Sequence, residues 1–139
     1  MFKNILVAVD GSEHGEKAAQ VAGSLARSMH ADLWVVIAYD AIPKYLGQPN
    51  LDEVITARLS EAESILKTAI EKIGDVPGSL RREILEGPPA EAILAVAETR
   101  EVDLIVMGTR GLGRLAGIFL GSQSQKVAAH ASCPVLLVR

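Results

Sequence analysis

A single cysteine, Cys133, is all that the 139 residues contain, and one thiol excludes an internal disulfide. A reducing compartment, the cytoplasm, is the expectation. Long apolar runs are missing too: no stretch approaches the roughly 20 residues that a membrane-spanning helix needs. The opening MFKNILVAVDGS holds too brief an apolar segment for a signal-peptide core and reads instead as a first strand. Linkers, internal repeats and low-complexity tracts are absent, so one domain is expected over residues 1–139. Acidic residues stop at Asp103. From Leu104 to Arg139 the chain carries Arg110, Arg114, Lys126 and Arg139 with no Asp or Glu, a balance of +4, whereas the preceding residues hold 10 basic and 17 acidic groups, a balance of −7. An acid-free segment in an acidic chain favours an anionic ligand there. Four cations are too few for a nucleic-acid groove, so neither nucleic acid nor a membrane is expected as a partner.

What is present alternates between two periodicities. NILVAVD (4–10) is a short apolar run rich in β-branched residues, closed by the turn signal DGS. Ser12 then caps a helix with Glu13 and Glu16 in its first turn and an apolar face of Ala18, Val21, Ala22, Leu25 and Ala26. A second strand spans 32–40, and the loop AIPKYLGQPN leads into a helix from about Leu51 to Ile73. Its apolar stripe runs Leu51, Val54, Ile55, Leu59, Ala62, Ile65, Leu66, Ala69, Ile70 and Ile73. The third strand (79–87) has adjacent arginines, Arg81 and Arg82, which mark an edge of the sheet. A proline-started helix, a continuously apolar fourth strand (102–108), a short helix in SQSQKVAAHAS and a closing strand CPVLLVR complete the order. Five strands with intervening helices predict an α/β fold, an open parallel sheet with helices on both faces.

Five of the 12 glycines, Gly108, Gly111, Gly113, Gly117 and Gly121, fall within 14 consecutive positions after the fourth strand. Glycines let backbone N–H groups turn toward a ligand and build a concave anion site. Gly121-Ser122 stands directly before a helix, whose unpaired N–H groups and dipole suit a phosphate. Ser122 and Ser124 offer hydroxyl donors, and Arg110 or Arg114 a positive charge. In an open parallel sheet the ligand sits beyond the carboxyl ends of the strands, where the winding reverses. With the first and fourth strands as neighbours there, Asp10 and the glycine loop face one crevice. Known phosphate loops do not fit: GIFLGSQSQK lacks the lysine of GxxxxGK[ST]. GLGRLA matches GxGxx[GA] but follows the fourth strand, with no acid beyond it.

The segment instead resembles the universal stress protein family. Gly108, two residues, Gly111, nine residues, then Gly121-Ser122 reproduces that family's ATP-binding pattern G-x2-G-x9-G-[ST]. ILVAVDGS, EGPPAEAIL, VDLIVMGTRG and CPVLLV extend the similarity along the chain in the family's order. The resemblance implies a Rossmann-like, adenine nucleotide alpha hydrolase-like domain with strand order 3-2-1-4-5. It implies an ATP site in which Gly108, Arg110, Gly111, Gly121 and Ser122 hold phosphates and ribose, with Gln123 and Ser124 in the same helix turn. Asp10 and the segment around Ala38 approach the nucleoside, and Met107 lines the pocket. The implied role is a nucleotide-dependent regulatory protein of the stress response, with Mg2+ arriving on the ATP.

Plainer readings stand beside these. Asp10 can be only a turn former beside the Ser12 cap; Arg110 and Arg114 can be solvated loop charges; Ser122 can be only a cap; Met107 can be core. His130 and Cys133 have a metal-like separation but no second pair. His14 and His30 suggest nothing catalytic, and Lys44 and Tyr45 are placed to cover a nucleotide. With Asp10 and Asp40 as the acids near the crevice, no residue stands out as a base, and catalytic residues are not assigned. A slow ATPase using Asp10 to hold a metal, and an interaction module without a nucleotide, remain as alternatives. The apolar closing strand, at a sheet edge, predicts a homodimer through paired closing strands, as the resemblance also implies.

Overall fold

The computed structural model describes residues 1–42, 45, 47, 50–110 and 121–139. Along these the elements are β1 (Asn4–Ala8), α1 (Glu13–Met29), β2 (Asp32–Tyr39), α2 (Asn50–Ile73), β3 (Leu80–Glu86), α3 (Pro89–Thr99), β4 (Leu104–Gly108), α4 (Ser122–His130) and β5 (Val135–Val138). Every pairing is parallel, in the order β3-β2-β1-β4-β5. The expected α/β architecture and strand order are therefore both present. β3 is an edge, as its arginines predict, because Arg81 and Arg82 reach solvent there without breaking a packed layer.

Alternation along β1 builds two cores. Ile5, Val7 and Val9 face a layer that includes Leu33, Val35, Val106 and the buried sides of α1 and α2. Leu6 and Ala8 face the other, with Val36, Ile105, Met107, Ala90, Ile93 and Val127. The innermost strands are enclosed on both faces, and at roughly 1.5–3 kcal/mol per buried aliphatic side chain these layers dominate the stability.

Two helices differ from the sequence expectation. On α1 the fully buried positions are Gly15, Ala18, Ala19, Ala22, Gly23 and Ala26, while Val21 and Leu25 are half-buried. Small residues take the contact because the helix lies close: a Cβ added at Gly23 would fall 2.5 Å from the Ile73 carbonyl oxygen. On α2 only the second half is buried, through Ala62, Leu66, Ala69 and Ile73. Ile55 and Leu59 are 37% and 42% exposed. The apolar stripe runs the length of the helix; the buried contact does not.

The amino ends of the strands are tied by side chain to main chain bonds. The Asp103 carboxylate accepts from the N–H groups of Lys3 (2.8 Å) and Asn4 (3.1 Å). Asn4 Nδ2 donates to the Arg100 carbonyl at 2.6 Å, and Asp32 accepts from Ser79 N–H at 2.8 Å. Cys133 sits at this end, its thiol pKa raised first by burial and then by the Asp103 charge.

Candidate functional site

At the carboxyl ends of β1, β2 and β4 the chain leaves a cavity of about 280 Å³. It lies where the winding turns, with β1 paired on one side to β2 and on the other to β4. Ala8, Val9, Asp10, Ala38, Met107 and Gly108 supply the strand-end wall. Three helices begin at its rim. α1 contributes Ser12 and Gly15, α3 contributes Pro89 and Ile93, and α4 contributes Gly121, Ser122, Gln123 and Ser124.

The local chemistry of each helix start differs. At α1, Ser12 has extended backbone and its hydroxyl oxygen accepts from Gly15 N–H at 3.1 Å, so that terminus is closed by its own cap. Asp10 Oδ1 accepts from Ser12 N–H at 2.9 Å, a turn-forming contact that also fixes the carboxylate at the cavity edge. At α3 the cap position is Pro88 with no side-chain cap bond, and Ala90 N–H donates to Gln123 Oε1 at 2.9 Å. At α4 the cap is Gly121, which has no side chain to offer, and no side-chain cap bond is made there among the described residues. The positive ends of three dipoles and the open first turn of α4 thus surround one hollow.

Nine of the ten residues that the sequence singles out border this cavity: Asp10, Ala38, Met107, Gly108, Arg110, Gly121, Ser122, Gln123 and Ser124. The tenth, Gly111, lies outside the described residues, as do Gly113, Arg114, Gly117 and Lys44. Tyr45 is 86% exposed and does not border the cavity. Met107 is both core and wall, 7% exposed and packed in the α3–α4 layer.

Three of the residues singled out in the sequence also carry structural contacts. Ser124 is 4% exposed and its hydroxyl donates to the Gly108 carbonyl at 2.7 Å, a bond that ties α4 to β4. Gln123 holds α3 to α4 through its oxygen, which leaves its amide nitrogen as the donor. Gly108 is required by packing: a Cβ there would lie 2.7 Å from His14 Cβ and 2.8 Å from the His14 carbonyl carbon. Sequence reasoning missed Ser12, Gly15, Pro89 and Ile93 as wall residues, and missed Thr109 altogether. The motif DGS and the prolines at 88 and 89 were the available signals, but a helix start faces a cavity only once the strands are ordered.

No helix among the described residues is long and apolar enough to cross a membrane. Among them, too, no group of three or more His, Cys, Asp and Glu side chains could hold a metal ion.

Comparisons with known proteins point the same way as the geometry. The model of the Universal stress protein family matches residues 1–139. A curated Thermus aquaticus protein, "Universal stress protein in QAH/OAS sulfhydrylase 3′region", is 53% identical over 142 residues, with all of both chains covered. The structure of universal stress protein UspA from Lactobacillus plantarum superposes with a TM-score of 0.88 at 29% identity, over 99% of this chain and 98% of that one. A crystal structure of a universal stress protein in complex with cAMP superposes with a TM-score of 0.70 at 28% identity, over 99% and 97%. The chain belongs to the universal stress protein family.

Proposed function

We propose that this universal stress protein binds an adenine nucleotide, ATP, in the cavity at the carboxyl ends of β1, β2 and β4, and acts as a nucleotide-dependent regulator of a stress response. The observation that carries the proposal is the convergence of three helix starts on one hollow, with the first turn of α4 left uncapped by any described side chain. Polyphosphate oxygens satisfy such N–H groups and favour the positive ends of the dipoles. Arg110 adds a cation on the same rim. The ATP-binding pattern formed by Gly108, Gly111 and Gly121-Ser122 agrees with this assignment, as does a relative of known structure that holds cAMP. Asp10 and Ala38 then border the nucleoside, and the phosphates lie toward Gly121 and Ser122. A divalent ion such as Mg2+ enters coordinated by the phosphates, since Asp10 is the one carboxylate on the wall among the described residues.

Mass spectrometry of small molecules released from the denatured, freshly purified protein tests this reading, together with calorimetric titration of ATP. ATP release or saturable binding is expected. Gly121→Val, which puts a branched side chain at the mouth of α4, is expected to weaken binding at least about 30-fold, roughly 2 kcal/mol. No nucleotide released, no titration signal and no effect of Gly121→Val would instead mark an interaction module.

The carboxylate of Asp10 at the cavity edge is the observation behind a second reading, a slow ATPase in which Asp10 holds the metal. Single-turnover phosphate release, compared between the parent and Asp10→Asn, separates the two. Release at the buffer rate in both removes the enzyme. We also infer a homodimer: β5 is a sheet edge paired on one side to β4, and its Leu136 is 38% exposed. A monomer mass at micromolar concentration would contradict that. We also infer a reducing compartment, the cytoplasm, a reading supported by the single cysteine, which can form no internal disulfide.

A further inference from the structure

Pro88 and Pro89 have no amide hydrogen, so the start of α3 is short of donors, and Ala90 is the first residue there with an N–H to give. Ala90 is 1% exposed, and an N–H buried so deeply needs an acceptor inside the protein. Gln123 supplies one from α4: its Oε1 accepts at 2.9 Å across a separation of 33 positions. That bond settles which way round the carboxamide stands, because a main-chain N–H can meet only the oxygen. The hydrogens of Nε2 are thereby left over, and they have no partner among the described residues. Gln123 is half-buried and borders the cavity, together with Gly121 and Ser122 of its own helix start and Pro89 and Ile93 of α3.

We propose that Gln123 relays the positive end of the α3 dipole to the ligand, its oxygen taking the Ala90 N–H and its amide nitrogen donating to a phosphate oxygen of the nucleotide. The inference rests on the nucleotide reading of the cavity, in which the phosphates lie toward the first turn of α4. A helix start favours an anion through its free N–H groups, but the Ala90 N–H is already spent inside the protein. The carboxamide passes that polarity on. An amide whose oxygen accepts a hydrogen bond is polarised through its conjugated C–N bond, and its own N–H groups become better donors by roughly 10–30%. The free side of Gln123 offers donors only, and ionised phosphate oxygens are acceptors only, so the two match. The three helix starts around the cavity therefore differ in kind. α1 is closed by Ser12, α4 is open along its main chain, and α3 acts through a side chain that belongs to α4. One residue both braces α3 against α4 and meets the ligand.

Two substitutions separate the donor from the brace. Gln123→Glu keeps an oxygen for the Ala90 N–H and replaces Nε2 by an acceptor. Gln123→Met, of similar length, removes the oxygen and the donor together and adds no charge. Calorimetry measures the affinity of each protein for ATP and for inorganic tripolyphosphate, and the Tm of each without ligand. Gln123→Glu is expected to keep the parent's Tm within about 1 °C and to bind both ligands at least about tenfold more weakly. Gln123→Met is expected to lose about 4 °C in Tm and to bind both ligands about fivefold more weakly. The two fold-losses should agree within about twofold, because the missing donor faces a group that both ligands share. A brace alone gives a different pattern. Gln123→Glu would then bind as the parent does, and Gln123→Met would lose ATP more than tripolyphosphate, since α3 brings only the apolar Pro89 and Ile93 to the cavity. A mere effect of added charge would leave Gln123→Met at the parent's affinity. Either pattern overturns the proposal, while binding of ATP by the parent keeps the nucleotide reading. If the parent binds tripolyphosphate and not ATP, the nucleotide reading fails and the tripolyphosphate series decides the role of Gln123. A parent that binds no tripolyphosphate overturns the proposal.

Discussion

The two ends of the sheet use the same residue types for opposite purposes. At the amino ends, Asp103, Asn4 and Asp32 each close on main-chain groups of a neighbouring segment, and polar atoms are consumed in pairs. At the carboxyl ends, Asp10 and Ser12 make comparable turns, yet α4 begins on a glycine with an uncapped first turn beside a cavity. Carboxylates and hydroxyls by themselves do not distinguish structure from function here. What distinguishes the ends is how many donors remain when the local bonds have been counted.

Gly108→Val is the strongest challenge to so clean a division, because Gly108 belongs to the cavity wall and is also a packing requirement. Its Cβ would press on the His14 backbone, and a destabilisation of about 3 kcal/mol is expected, a fall in Tm of about 10 °C by calorimetry, with ATP binding lost as well. Asp103→Ala works at the other end. Two N–H groups lose their acceptor, so a loss of about 2 kcal/mol in urea denaturation is expected, with the Kd for ATP unchanged within about twofold. A large change in Kd would mean that the ends are coupled. Arg110→Ala sharpens the contrast in reverse: about fivefold weaker ATP binding by calorimetry, with the Tm of the unliganded protein within about 1 °C of the parent. The smallest effect concerns Cys133. Asp103 raises its thiol pKa, so Asp103→Ala lowers that pKa and enlarges the thiolate fraction. Alkylation at mildly alkaline pH should quicken about twofold.

Much of this was legible before any coordinates, for identifiable reasons. Apolar runs with turn signals placed all five strands, and Arg81-Arg82 placed the edge. The residues flanking β1 and β4 could be placed at one cavity because a parallel sheet opens its crevice where the winding reverses. Other features depended on distance. Nothing in the pattern Leu51, Val54, Ile55, Leu59 says that these positions are left half-buried or exposed. Val21 and Leu25 carry more apolar surface than Ala22 or Gly23, yet the nearness of α2 gives the contact to the smaller side chains. Ser124 looked like a ligand donor because its commitment to Gly108 spans 16 positions. The contact of His14 with Thr109 was hidden in the sequence because the two lie 95 positions apart.

The three helix starts around the cavity come from separate parts of the chain: α1 follows β1, α3 follows β3, and α4 follows β4. The hollow has no local nucleus, since β1 must pair with β4 across about a hundred residues before its walls meet. Half-assembled chains therefore lack the hollow altogether. On the proposed reading, a nucleotide that enters only the completed sheet would withdraw molecules from the unfolding equilibrium, and its concentration in the cell would become a term in how long the protein survives there.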